Sequence, residues 1–249
     1  MNERATSPLN ATFPVARLAS VDELESPRFR SFMSLANALA ERWSLRTFHD
    51  WSKVWEYPWL WLHGISTLPL PGLRILDIGS EISPMPWLLA GLGASVTMIE
   101  CDGAHRATWD ALRDLTSARI DWHIVADERL PVASASYDVV TSFSTVEHQA
   151  DKERAIAEVA RVLRPGGLLA MSFDICEPQL GMTFPEWNGQ ALSLDLFESL
   201  VWRNPLFERA QQPPAWNRED IDPFLKWHIR SAPHHTYTVG AACLVRAAS

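Results

Sequence analysis

Between residues 74 and 173 of this 249-residue chain, short runs rich in branched and aromatic residues alternate with stretches of helical period. No other feature limits the fold so strongly. Runs that are apolar almost without interruption suit strands buried on both faces, and a sheet with helices on both sides provides that environment. The periodicity predicts strands at 74–78, 95–100, 120–125, 137–143 and 168–173, with helices at 86–92, 103–116 and 151–163. Pro165 and Gly166 in "RPGG" close the last helix. Further on, "LSLDLFESLVWR" reads as helix. "HTYTVGAACLVRA" reads as a final strand forming an antiparallel hairpin with residues 227–230. The expected fold is α/β: a Rossmann-like, doubly wound seven-stranded sheet, mostly parallel with an antiparallel C-terminal hairpin, plus an N-terminal helical cap.

Ahead of the sheet, residues 1–27 are polar, hold Pro8, Pro14 and Pro27, and are expected to be loosely ordered. Residues 28–69 read as a cap of two helices, the second ending or kinking at Pro58 and closed by Gly64. This cap is rich in tryptophan: of 12 in the chain, Trp43, Trp51, Trp55, Trp59 and Trp61 fall here. So many exceed what one narrow helix stripe buries. Residues 70–249 form the sheet domain.

Charge and cysteine usage exclude several classes. A formal net charge of -8 gives no positive field for phosphate backbones, so no nucleic-acid partner is expected. No apolar run reaches the length of a membrane span, and the first residues carry no signal-like core. Cys101, Cys176 and Cys243 are far apart without CxxC spacing, which suits a reducing compartment. A cytoplasmic protein without membrane partners is expected.

In an open parallel sheet, ligands bind over the carboxyl ends of the strands near the point where strand order reverses. The first expected strand runs into "RILDIGSEIS", where Asp77 and Gly79 make the turn and Glu81 and Ser83 follow. Glu100 closes the second strand about 20 residues on, placed to accept from the two ribose hydroxyls of an adenosine. Asp127 follows the third strand, where it could accept from an adenine amino group, and residues 144–148 follow the fourth.

With "ILDIG" (75–79), "VTMIECD" (96–102), "ADERLPVASASYDVVTSFSTVEH" (126–148) and "AEVARVLRPGGLLAMSFD" (157–174), the chain resembles the class I S-adenosylmethionine-dependent methyltransferases, in particular the small-molecule enzymes of the methyltransferase type 11 group. The resemblance covers roughly residues 70 to 175 and implies a methyltransferase domain with S-adenosyl-L-methionine as cofactor. It implies Asp77, Gly79, Ser80, Glu81 and Ser144 near the methionine end, Glu100 and Cys101 at the ribose, and Asp127 with Glu128 near the adenine. The family pattern puts glycines at 81 and 83. Because the cofactor carries no phosphate, the loop need not present a nest of amides to a dianion. A working site with an altered loop is expected.

For a hydroxyl acceptor the protein must supply alignment and a base. His148 lies where the methyl group would emerge and is the expected base. The resemblance implies a lid formed by the N-terminal helices and the segment after the fifth strand, which hold Trp51, Trp55, Trp59, Trp61 and Trp187; Trp55, Trp59 and Trp187, with His234 from a late loop, are the expected substrate contacts. Indole faces pack on the C–H faces of sugars and on aromatic rings alike, and the expectation leans to a saccharide hydroxyl. An aromatic or other secondary metabolite is the alternative acceptor. The same tryptophans would serve in the cap's core or at a homodimer interface. The resemblance leaves room for a divalent metal such as Mg2+, with Asp174 and Glu177 after the fifth strand as the nearest candidates, though no ligand pattern supports them. The competing class is a non-catalytic protein on the same fold.

Overall fold

The computed structural model describes residues 13–126, 129–176, 190–209, 214, 216–231 and 236–248. A seven-stranded sheet runs through it in the order β1-β7-β6-β5-β2-β3-β4. The strands are β1 (Val15–Leu18), β2 (Arg74–Ile78), β3 (Ser95–Glu100), β4 (Ile120–Ile124), β5 (Tyr137–Phe143), β6 (Leu163–Ile175) and β7 (Thr238–Val245). Pairings β2–β3, β3–β4, β2–β5 and β5–β6 are parallel. β7 runs antiparallel to both β6 and β1.

The helices are α1 (Val21–Leu24), α2 (Pro27–Arg42), α3 (Lys53–His63), α4 (Met85–Gly91), α5 (Arg106–Thr116), α6 (Lys152–Val162), α7 (Leu194–Phe197), which continues as a π-helical turn (Glu198–Trp202), and α8 (Ile221–Ser231). Side-chain alternation along the strands divides the core. Ile75 and Val139 face one apolar layer with α2, α3 and α4, and their neighbours Leu76 and Val140 face a second layer with α6 and α7. No helix among the described residues is long and apolar enough to cross a membrane.

Three expectations are corrected. Residues 227–230 are not a strand: Phe224 and His228, four apart, are the buried residues of α8, a helical period. The antiparallel partner of β7 on the inner side is β6. Within the segment expected to be loosely ordered, Val15 to Leu18 pair residue by residue with Cys243 to Gly240. Such a short strand depends on a partner more than two hundred residues away, which local pattern does not reveal. Finally, α3 continues through Pro58 to His63. The lost backbone bond is outweighed by burial of Trp59 and Leu60, 1% and 0% exposed, just beyond it.

From β2 the chain moves outward to β3 and β4, then crosses back to β5 and β6 on the other side. The reversal lies between β2 and β5, at whose carboxyl ends a crevice opens.

Candidate functional site

A cleft of about 440 Å3 occupies this crevice, within the usual range for small-molecule sites. Residues 79–83 beyond β2, Glu100 to Asp102 at the end of β3, Val125 and Ala126 beyond β4, and Phe143 to Thr145 at the end of β5 line one end of it. Arg46, Phe48, Trp51, Lys53 and Tyr57 from the cap, with His148, Asp174 and Tyr237, line the other.

Gly79 holds φ +74°, and a Cβ there would lie 2.7 Å from Thr145 Oγ1, so both conformation and space call for glycine. Glu81 also adopts a left-handed φ of +50°, as a family glycine would. For a residue with a Cβ this costs about 1–2 kcal/mol. Two hydrogen bonds hold it there: Glu81 N–H donates to Glu100 Oε1 at 2.8 Å, and Trp109 Nε1–H donates to the Glu81 carbonyl at 2.8 Å. Ser83 is buried, and its Oγ accepts from Tyr57 Oη at 3.0 Å and from Met85 N at 3.1 Å, which ties the loop to the cap and to the start of α4.

Glu100 is 5% exposed. Burial pushes its carboxyl up to about 8 against the pull of the Glu81 N–H, and the charges of Asp77 and Glu81 add to the rise. Asp77 is fully buried and accepts from Thr141 Oγ1 of the adjacent β5. Burial raises it to about 6, with the Ser80 and Thr141 hydroxyls drawing it back. Its side chain ties β2 to β5 below the cleft surface.

At the other end, Glu56 of α3 is fully buried and joins three elements. Its Oε2 accepts from Lys53 Nζ at 2.9 Å, from Ser144 Oγ at 2.8 Å and from the Ser172 hydroxyl of β6. Lys53 Nζ also donates to the Phe143 carbonyl at 3.2 Å. Burial alone would raise Glu56, but the Lys53 ammonium and the Ser172, Ser52 and Lys53 hydrogen bonds hold it below the usual carboxylate value. Ser144 sits at φ +51°, which turns its hydroxyl onto Glu56.

Beside this network lies a second acid pair. Glu147 and Asp174 are 0% and 1% exposed. Burial pushes Glu147 up to about 7, and burial with the neighbouring Glu147 charge raises Asp174 well above the ordinary range. Glu147 Oε1 accepts from the Asp174 backbone N–H at 3.2 Å. Among the described residues, no N–H and no hydroxyl donates to either carboxyl oxygen of Asp174; its side chain interacts with the Glu147 carboxyl. A buried acceptor left without a donor costs about 1–3 kcal/mol.

Of the residues singled out in the sequence, Gly79, Ser80, Glu81, Glu100, Cys101, Ser144 and His148 meet in the cleft, His148 from a single 3-10 turn (Val146–His148) after β5. Asp77 lies beneath it. Trp55 and Trp59 are corrected: they stack on each other at 5.7 Å in the core, and Trp55 Nε1–H donates to Glu23 at 2.7 Å. Trp55 also meets Phe224 of α8 edge-on, while Trp51, just before α3, reaches the cleft with Arg46 4.7 Å over its ring. Asp127, Glu128, Trp187 and His234 lie outside the described residues. Asp174, singled out only as a metal candidate, lines the cleft, while Glu177 lies outside the described residues. Lys53 and Glu56 escaped the sequence reading of the site, although a Lys and a Glu three apart within an apolar helix were a signal. Among the described residues, no group of three or more His, Cys, Asp or Glu could hold a metal ion.

Residues 76–171 match the family model described as a methyltransferase domain. The ubiquinone biosynthesis O-methyltransferase of Rhizobium rhizogenes is 34% identical over 104 residues, 42% of this chain and 42% of that protein, so the chain matches less than half the length of this curated relative. Among solved structures, a putative sarcosine dimethylglycine methyltransferase from Galdieria sulphuraria superposes with a TM-score of 0.58 at 17% identity, covering 77% of this chain and 84% of that one. The 1,6-didemethyltoxoflavin-N1-methyltransferase of Burkholderia thailandensis, solved with S-adenosylhomocysteine, gives 0.55 at 15% identity over 99% and 98%. The sheet, the crevice and the matched segment agree. Residues 76–171 carry a class I S-adenosylmethionine-dependent methyltransferase domain.

Proposed function

We propose that this domain transfers a methyl group from S-adenosyl-L-methionine to a hydroxyl of a small ring compound. One observation carries the reading: a single cleft joins a ribose-type site, Glu100 with the 79–83 loop, to the buried acid Asp174. Glu100 would accept from the ribose hydroxyls, and the loop with Ser80, Glu81 and Ser144 would hold the methionine end. Cys101 would pack beside the ribose. The neighbouring Val125 and Ala126 support an adenine position next to Asp127 and Glu128. The bound cofactor supplies an electrophilic methyl carbon on a sulfonium. The chain's own residues orient the acceptor, exclude water and take its proton. Two groups in the cleft can do the last, His148 and Asp174.

Trp51, Phe48, Tyr57, Phe143 and Tyr237 give the cleft aromatic walls. The saccharide expectation rested on Trp51, Trp55, Trp59, Trp61 and Trp187; Trp51 lines the cleft, while Trp55 and Trp59 lie in the core. With phenyl and phenol rings making up most of the aromatic wall, a phenolic hydroxyl leads, and the relative's naming as an O-methyltransferase of ubiquinone biosynthesis favours it too. A pyranose remains the second acceptor class, because indole and phenol faces also pack on sugar C–H faces.

Calorimetric titration with S-adenosyl-L-methionine, followed by a release assay for S-adenosylhomocysteine against phenols, catechols and pyranosides, tests the reading. Binding with turnover of a hydroxyl compound is expected. Well-folded protein that does not bind the cofactor overturns it, as does binding without turnover across the panel.

A further inference from the structure

We propose that Asp174 is the catalytic residue that takes the acceptor's proton, and that Glu147 is the positioning residue that shares and receives it, so that the two carboxyls form a relay at the cleft floor. The inference rests on the O-methyltransferase reading above and adds the proton's route. Asp174 lines the cleft while 1% exposed, so a buried carboxyl belongs to the wall of the space an acceptor would fill. No N–H and no hydroxyl among the described residues donates to its oxygens. A hydroxyl arriving in the cleft would be the missing donor. His148 also lines the cleft but is half-buried as a residue, so Asp174 is the more enclosed of the two.

The second carboxyl gives the proton somewhere to go. Two acids in one buried site do not both ionise, so the pair keeps one proton. In the relay Asp174 holds that proton toward Glu147, the carboxyl its side chain meets. In the reacting complex the acceptor oxygen forms its bond to the methyl carbon as the carbon–sulfur bond breaks, and that bond's electron pair leaves on sulfur, which becomes a neutral thioether. The acceptor's O–H bond breaks, its proton passes to the Asp174 oxygen in the cleft, and the proton Asp174 held passes to a Glu147 oxygen. After the product leaves, the pair returns one proton to water through the open cleft. Charge and atoms balance with no further reactant.

The surroundings tune the pair. Lys53 lowers both carboxyls, and the Glu56 charge, itself paired with Lys53, raises both. Lys152 on α6 feels Glu147 as well. Tyr237, before β7, feels the charges of Asp174, Glu56 and Glu147. His228 on α8 feels Glu56 and Lys53. The relay works when Glu147 is ionised, so turnover should rise as pH increases through about 7.

Two measurements test this on the full chain. The first needs no acceptor: infrared difference spectra between wild type and D174N at neutral pH should contain the C=O stretch of a protonated carboxylic acid. Superimposable carboxyl regions overturn the shared proton. The second uses the hydroxyl compound with the highest turnover in the panel above. D174N should lower kcat by about 10² to 10⁴ with cofactor affinity unchanged by calorimetry. E147Q should remove the rise of kcat near pH 7, and D174E should recover part of the rate. A loss in D174N below tenfold, or an unaltered pH profile in E147Q, overturns the relay. The methyltransferase reading fails separately, through absent cofactor binding or absent turnover in wild type.

Discussion

The backbone N–H of Glu81 donates to the side chain of Glu100 at 2.8 Å, so the loop after β2 is anchored by the same carboxyl proposed to hold the ribose. Glu100→Ala removes both. Cofactor affinity should fall by about 1–3 kcal/mol, the cost of leaving buried hydrogen-bonding groups without their partner. Titration calorimetry reads it, and unchanged affinity would take Glu100 out of the ribose site.

Stability of the ligand-free protein should depend on the same carboxyl. Its folded value of about 8 lies above the ordinary range for a glutamic acid, so the folded chain holds a proton that the unfolded chain has released. The stabilisation is fully present below the unfolded pKa, about 4.3, and is lost as pH rises through the folded one, with a slope of at most about 1.4 kcal/mol per pH unit for this group. Asp77, at about 6, acts with the same sign over a lower window. Chemical denaturation between about pH 5 and 8 should therefore show falling stability, and E100Q should flatten the fall.

Glu81→Gly separates the strain of the loop from its chemistry. Release from φ +50° should stabilise the protein by up to about 1 kcal/mol, after allowance for glycine's greater freedom in the unfolded chain. Loss of the carboxylate should weaken cofactor binding by calorimetry. A gain in affinity would show that the side chain intrudes on the site.

Much of this was legible beforehand, for identifiable reasons. Strands β2, β3 and β5 announce themselves because they are largely buried and rich in branched apolar residues, and the acids near the ends of β2 and β3 stand out against them. The floor of the cleft was harder to see. Lys53 and Glu56 sit in a helix whose tryptophans draw attention to substrate, yet Trp55 and Trp59 pack inward and the two charges reach the cleft region. Periodicity shows that a helix has an apolar face, but not which sheet end that face will meet.

The division between core and cleft tryptophans is directly measurable. Trp55→Ala, at a fully buried side chain, should cost about 3–5 kcal/mol of stability. Trp51→Ala, at a half-buried residue lining the cleft, should cost less and instead raise KM for the acceptor. Equal losses of stability with unchanged KM would place both in the core.

Lys53→Met should destabilise the chain by about 3–5 kcal/mol, since it strands the Glu56 carboxylate in the interior. Replacing both members, as in K53M with E56L, should recover much of the loss in denaturation experiments.

Glu56 reaches Ser144 and Ser172 across 88 and 116 positions of chain. Contacts of such separation pay their loop-closure entropy before they return anything, so they close after the local helices have formed. The cleft floor is thus absent from any fragment or early intermediate that lacks the docked α3 and the β5–β6 pair together. A ligand that binds this floor selects the completed tertiary structure and stabilises it by mass action. Ligand-induced protection from proteolysis should accordingly extend to the N-terminal helices as well as to the sheet, with cap and sheet responding as one cooperative unit.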